Sequence, residues 1–368
     1  MFWGGRVRQV RKLLRWTQTD LAEAIGIRQA SVSAIEAGIK QPSAQVEAAI
    51  VSQTGFPAGF FSRPPGPDFP LGTLDFRAKR TLAKLDLEQA HAWGELGFEA
   101  ALELLNRTGR RPSYIPALRG ATPEEAAHAA RTALGLSPYR PIPNVTYAIE
   151  QAGVCVLALP VRLEGRDAFS AWVGDGQSLP FIGIPECASG ERLRRSMAHE
   201  LGHLVMHSGF RGSLVEMEDQ ANDFASEFLT PAAAIAEYLA PPIRLEGLLE
   251  LKGVWGVAVQ SLVMRAYELG HISERRKQQL FQTIATKWTM KWEPRQLPPE
   301  KPRLFRKMVE AEFGVPPNIP RLARELTLPP TLAKALVEAH ASRNELRASV
   351  SADVTSPTNV TNMRPRNS

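Results

Sequence analysis

The sequence predicts a multidomain chain: an all-α helix-turn-helix domain, then an α+β domain, then additional C-terminal helices. Three observations predict it. Residues 7–61 carry apolar side chains at helical spacing and run into SRPPGPDFP at residues 62–70, which cannot continue a helix. The runs GVCVLALPV, AFSAWV and LPFIGIP, rich in β-branched and aromatic residues and bounded by Gly, Asp and Pro, read as three short strands. After them a helical segment holds His199, Glu200 and His203 in the spacing HExxH.

A chain of 368 residues has room for two or three domains. Its 44% hydrophobic content can build a core, while 29 prolines and 27 glycines call for many short connections, so wholesale disorder is not expected. Basic residues outnumber acidic ones by 44 to 38, a surplus compatible with nucleic acid that does not establish it. Residues 1–63 hold eight basic and four acidic residues, so the N-terminal domain carries a surplus of its own. Two cysteines, Cys155 and Cys187, are too few for a disulfide framework and lack paired metal-ligand spacing, which favours a reducing compartment. With no long apolar run and no signal-like cleavage site at the start, a cytoplasmic location without a membrane partner is expected.

Within the first domain, Thr17 is placed to cap a helix from Gln18 to about Ile25 that turns Leu21, Ala22 and Ile25 inward, and Gly26 permits a tight turn. A second helix from Arg28 to Ala37 turns Val32 and Ile35 inward and leaves Arg28, Gln29, Ser31 and Ser33 outside. A helix fits the major groove, so those four are candidates for reading base edges. Gln18, Arg15 and Lys40 are candidates for phosphate contacts, which position rather than specify. The same apolar spacing also suits a small helical interaction domain with a solvated face. Glu36, between Ile35 and Ala37, reads as a surface or capping group. Through Gln18, Leu21, Ala22, Gly26, Val32, Ser33, Ile35, Glu36 and Gly38, about the first 60 residues resemble the Xre or lambda-repressor-like helix-turn-helix family. That resemblance implies a double-stranded DNA operator as partner and a homodimer to bind it.

Between the domains, residues 74–106 are dominated by helix formers, and a helix from Thr122 to Leu136 opens with a capping box of Thr122 and Glu125 and ends at Gly135.

The segment RRSMAHELGHLVMH carries the chemistry. His199 and His203 lie four residues apart, so their imidazoles leave one helix face and converge on one ion, while Glu200 is placed to contact water without taking a coordination position. Met197, Ala198, Leu201, Leu204 and Val205 make this helix largely buried, and Gly202 permits a close neighbour. His207 lies about 12 Å along the axis from His199, too far to join it readily, and is left a supporting role. A third ligand must come from elsewhere. Glu218 on the next helix, VEMEDQANDFASEFLTP, is the candidate, with Glu216 and Asp219 as alternatives. Arg192, Arg194 and Arg195 read as a solvated face more readily than as substrate clamps, Asn222 reads equally as a ligand orienter or a core hydrogen bond, and Tyr267 and His271 are weak candidates for oxyanion donors.

MAHELGHLVMH and EDQANDFASEFLTP, followed by LLELKGVWGVAVQSLVMRAYELGHIS, are similar to the ImmA/IrrE metallopeptidase family over about residues 141–294. The resemblance implies a zincin-like α+β metallopeptidase domain, one zinc ion held by His199, His203 and Glu218, and Glu200 as general base. It also implies a zinc metalloendopeptidase acting on a regulatory protein, in known members often a helix-turn-helix repressor. A DNA-binding module on the same chain departs from single-domain members and leaves the substrate open. The competing reading is a transcriptional regulator or antitoxin-like protein whose zinc is structural or sensory. Domain limits are expected at 1–61, 62–137 for linker and connector, 138–295, 296–343 for C-terminal helices, and 344–368 for a flexible tail.

Overall fold

The structure is a computed structural model and describes residues 1–67, 69–70, 84–109, 113–163, 168–174, 179–186, 189–208, 213–288 and 293–341. The expected tail, Cys187 and the first ten residues of the 74–106 helix lie outside the described residues.

The first domain is all-α, with α1 Gly4–Leu13, α2 Gln18–Ile25, α3 Gln29–Glu36, α4 Ala44–Thr54 and α5 Ala58–Ser62. Thr17 caps α2 in a reciprocal box with Asp20, and Gly26 ends it at φ 70°, a backbone state that side chains disfavour. Val7, Val10, Leu21, Val32, Ile35, Ile50 and Phe61 form its core. At Gly4 an added Cβ would stand 1.7 Å from the Ile35 carbonyl oxygen, so α1 and α3 meet backbone to backbone.

The connector helix α6, Lys84–Thr108, packs along α1. Arg6 on α1, almost fully buried, donates to Glu99 of α6 at 2.6 Å, to Gln9 at 2.8 Å and to the Pro64 carbonyl at 2.6 Å. Residues of the first domain, α6 and the C-terminal helices α15 Leu304–Phe313, α16 Ile319–Leu326 and α17 Pro330–Ala339 share one apolar core. The connector is therefore packed onto its neighbours along its length.

In the α+β region, α7 Pro123–Ala133 and α8 Val145–Gln151 precede a sheet of β1 Cys155–Ala158, β2 Phe169–Val173 and β3 Leu179–Ile184. The strand order is β1-β3-β2; β1 runs parallel to β3 with Cys155 opposite Phe181, and β2 antiparallel with Phe169 opposite Gly183. Alternation along each strand divides the side chains between two cores. Cys155, Leu157, Phe169, Ala171, Val173 and Phe181 face the connector and C-terminal helices. Val156, Ile182 and Ile184 face a second core built with α9 Gly190–Met206 and α10 Leu214–Leu229. The short α11 Ala232–Ile235, then α12 Leu245–Trp255, α13 Val259–Glu268 and α14 Glu274–Lys287 complete that side. The helix α7, which the sequence reading groups with the connector, packs on α10 and α9. Its predicted capping box of Thr122 and Glu125 is present. Among the described residues no single helix is long and apolar enough to cross a membrane.

An extended segment at 293–303 laces the start of α9 to its surroundings. The Gly190 amide donates to Leu297 at 3.0 Å, and the Leu297 amide donates to Glu191 at 3.0 Å. Lys252, wholly buried, pairs with Glu191 at 2.7 Å and Glu293 at 3.0 Å. Arg194 pairs with Glu300 at 2.6 Å, and Glu150 accepts the amides of Arg303 and Leu304 where α15 begins. Burial pushes the Glu150 carboxyl up to about 7 despite those amides.

At the far end of the chain, His340 ties α17 to the sheet. Its Nδ1 donates to the Leu336 carbonyl at 2.7 Å, and its Nε2 accepts the Ala158 amide at 3.0 Å, so both ring nitrogens are committed only while the ring is neutral. Burial pushes this imidazole down to about 4. The unfolded chain then binds the extra proton first, so the contribution is fully present above the ordinary value near 6.5 and is lost as pH falls toward 4. Between pH 7 and pH 4, unfolding by urea should show the parent losing about 3 kcal/mol more stability than His340→Gln. Parallel pH profiles for the two proteins would dismiss His340 as the source.

Candidate metal centre and nucleic-acid interface

Ser189 caps α9 by accepting the Arg192 amide, and the helix then runs through a layer of buried apolar residues from Leu193 to Met206. Its last carbonyls find partners outside the helix: Trp172 Nε1 of β2 donates to Leu204 at 3.1 Å, and the Leu118 amide donates to Val205 at 2.9 Å. On the opposite side α10 approaches closely. A Cβ on Gly202 would meet the Phe224 ring at 2.9 Å, and Ala221 and Ala225 are fully buried at the same crossing. The expectation that Gly202 permits close packing holds in the structure.

That crossing carries Glu218 to the histidines. His199 and His203 present their Nε2 atoms to each other at 3.1 Å, with the rings nearly perpendicular at 77°. Glu218 Oε2 stands 3.6 Å from His199 Nε2 and Oε1 stands 3.5 Å from His203 Nε2. Donors held 2.0–2.1 Å from a tetrahedral zinc ion would stand about 3.4 Å apart. Two imidazoles and a carboxylate at these separations therefore suit zinc in chemistry and in spacing. Among the described residues this is the one group of three or more candidate donors, and the alternative acids Glu216 and Asp219 lie outside it, both exposed on the first turns of α10.

Glu200 is buried beside this triad, and its Oε2 accepts the Ser170 hydroxyl at 2.7 Å. Ser170 and Trp172 leave the same face of β2, so one strand grips both the carboxylate and the end of the helix that bears it. His207, at the C-cap of α9, lies behind His203: the two Nδ1 atoms are 3.0 Å apart, on the side of the His203 ring away from His199. Its Nε2 meets Gln220 Oε1 at 2.9 Å. Burial holds the His207 imidazole below its ordinary range. Neither Ser170 nor Gln220 is singled out by the sequence; for Ser170 the available signal is a lone hydroxyl on the helix-facing side of an alternating strand.

Other candidates fall away from this centre. Arg194 is not a solvated side chain: it is buried and donates to Glu300 and to the Ile142 carbonyl, because the 293–303 segment and the segment leading into α8 close over it. Arg195 donates to Asn222 at 3.3 Å, Tyr267 lies under the Lys277 ammonium, and His271 bonds the Leu239 carbonyl. Burial pushes the Cys155 thiol up to about 12, which leaves it without nucleophilic character.

In the first domain, Gln29 at the start of α3 is exposed and donates to Gln18 at 2.6 Å, and Gln18 donates in turn to Glu36 at 2.9 Å. Glu36 is therefore no surface group: it is 3% exposed and held by Arg11 at 2.6 Å, because the shared α1 and α3 packing encloses it. Arg28 and Lys40 are exposed, and Ser31 and Ser33 are half-buried beside them. Arg15 pairs with Asp86 of the connector at 2.5 Å, which draws it toward α6. Gln18 thus steadies Gln29 from behind, one step from the exposed face.

Removal of one donor should distinguish Glu218 from its neighbours. Glu218→Ala should weaken zinc binding, measured by competition with a chromogenic chelator, by more than the roughly 10- to 100-fold that outer partners of a metal ligand are worth. Glu216→Ala and Asp219→Ala should bind as the parent does; a loss in either, with Glu218→Ala unaffected, would move the ligand assignment.

Comparison with known families agrees with the geometry in both regions. Residues 149–267 match the IrrE N-terminal-like domain, a peptidase family, and this span contains the sheet, α9, α10 and all four site residues. Residues 7–57 match a helix-turn-helix family and span α2 and α3. No curated protein matches the chain. In N- to C-terminal order, the chain thus carries a region similar to an Xre-like helix-turn-helix and then a region similar to an IrrE N-terminal-like peptidase domain.

Proposed function

We propose that this chain is a DNA-binding regulator whose second domain is a zinc-dependent endopeptidase, cleaving a regulatory protein of the helix-turn-helix repressor kind. The observation that carries the proposal is the convergence of His199, His203 and Glu218 beside a buried Glu200. Three protein donors are the complement of a catalytic zinc, whereas structural zinc takes four. Zinc bound there supplies Lewis acidity, acidifying water and polarising a carbonyl oxygen.

The chain's own residues supply the proton handling. Glu200 takes a proton from the attacking water and passes it to the leaving amine. Ser170 donates its hydrogen bond to Oε2, which fixes the orientation of the carboxylate beside the triad. Peptide-bond cleavage by this route forms no covalent bond to the protein, in keeping with a thiol at Cys155 that stays protonated.

For the first domain, Gln29 and Arg28 read base edges in the major groove, with Ser31 and Ser33 beside them, while Lys40 and the Gln18 amide serve the phosphate backbone. A homodimer would place two such helices on the two halves of an operator.

Two experiments test this reading. Purified Glu200→Gln should retain zinc yet cleave a peptide library about 10²- to 10⁴-fold more slowly than the parent; equal cleavage would remove Glu200 from the chemistry, and zinc-dependent operator binding without any cleavage by the parent would favour a sensory zinc. In operator titrations, Lys40→Ala should weaken all sequences alike and lower the salt slope by about 1, while Gln29→Ala should relax sequence preference.

A further inference from the structure

An imidazole binds a metal through a nitrogen lone pair, so its other ring nitrogen must carry the proton. His203 offers Nε2 to His199 and Glu218, and its Nδ1 faces His207 Nδ1 at 3.0 Å. A hydrogen bond between those two Nδ1 atoms requires one proton, carried by one ring or the other. With that proton on His203, His207 Nδ1 accepts, and the proton of His207 sits on Nε2, where Gln220 Oε1 receives it at 2.9 Å. The reverse order puts a proton on His203 Nε2, pointing it at His199 Nε2 and abolishing the lone pair a metal needs. Gln220 presents its amide oxygen to that nitrogen, and an oxygen accepts and never donates, so this placement of the amide goes with the first order.

The backbone supports the arrangement. The His207 amide donates to the His203 carbonyl at 2.9 Å, and the cap conformation at His207, φ −113° and ψ 12°, brings its ring within 5.1 Å of the His203 ring. Gln220 comes from α10, the helix that also delivers Glu218, so the two chains of contact to the centre arrive on one element.

We infer that His207 and Gln220 are positioning residues, a two-member relay that holds His203 in its Nδ1–H tautomer and thereby sets zinc affinity. The inference rests on the zinc reading of the site given above. His207 takes no coordination position of its own, since the ring nitrogen nearest the centre is turned to His203 Nδ1 and the other to Gln220.

The test uses the full chain and zinc alone, with affinity read by chelator competition and proton positions read from long-range ¹H–¹⁵N imidazole spectra. Zinc-loaded parent protein should show His203 protonated at Nδ1 and His207 protonated at Nε2. Gln220→Glu, which can only accept, should bind zinc at least as tightly as the parent. Gln220→Leu and His207→Phe should bind roughly 10- to 100-fold more weakly. Gln220 is exposed, so its variants decide the matter even where His207→Phe does not fold. Zinc-loaded parent with His207 protonated at Nδ1, or Gln220→Leu binding within about two-fold of Gln220→Glu, would overturn the relay while leaving the zinc site standing. Parent protein that binds no zinc through His199, His203 and Glu218 would overturn the zinc reading and the relay together.

Discussion

The close crossing of α9 and α10 at Gly202 and Phe224 is the constraint on which the site depends. Any side chain at residue 202 would meet the ring at 2.9 Å, and interiors packed to crystal-like density do not yield that distance freely. Because the helices meet there, a carboxylate one and a half turns earlier on α10 reaches the two imidazoles. The other carboxylate is governed from the opposite direction, by Ser170 on β2. Glu218 thus reaches α9 from α10, while Glu200, borne on α9 itself, is held from β2, so the two carboxylates are fixed by different neighbours.

The electrostatics at the beginning of α9 have a different character. Lys252 between Glu191 and Glu293, and Arg194 on Glu300, are buried charges whose mutual attraction mainly offsets the loss of hydration. Their effect is geometric. Removing either partner would strand a charge in the interior, so the 293–303 segment keeps one register against the helix, and with it the orientation of the residues two turns further on.

Much of this was legible in the residue pattern, and for stated reasons. Helical spacing with caps at Thr17 and Thr122 announces α2 and α7, and the i, i+4 histidines announce their own convergence. Glu218 is legible because Ala221 and Ala225 mark the side of α10 that faces inward. What stayed hidden depends on long-range contacts. Glu36 has the composition of a surface residue until Arg11, 25 positions away, arrives to neutralise it. Arg194 looks like its exposed neighbour Arg192 until Glu300 closes over it from 106 positions away. Ser170 and Gln220 escape any local pattern, since a hydroxyl and an amide acquire meaning only from what the fold sets opposite them.

The first domain, connector and C-terminal helices bury their apolar side chains in common, and Arg6 on α1 is locked to Glu99 on α6. The helix-turn-helix end is thus a wing of the molecule's interior and not a bead on a string. Cutting the chain after the fifth helix would bare Phe60 and Leu96 to water, so the natural unit for inheritance, for engineering and for tethering is the whole assembly.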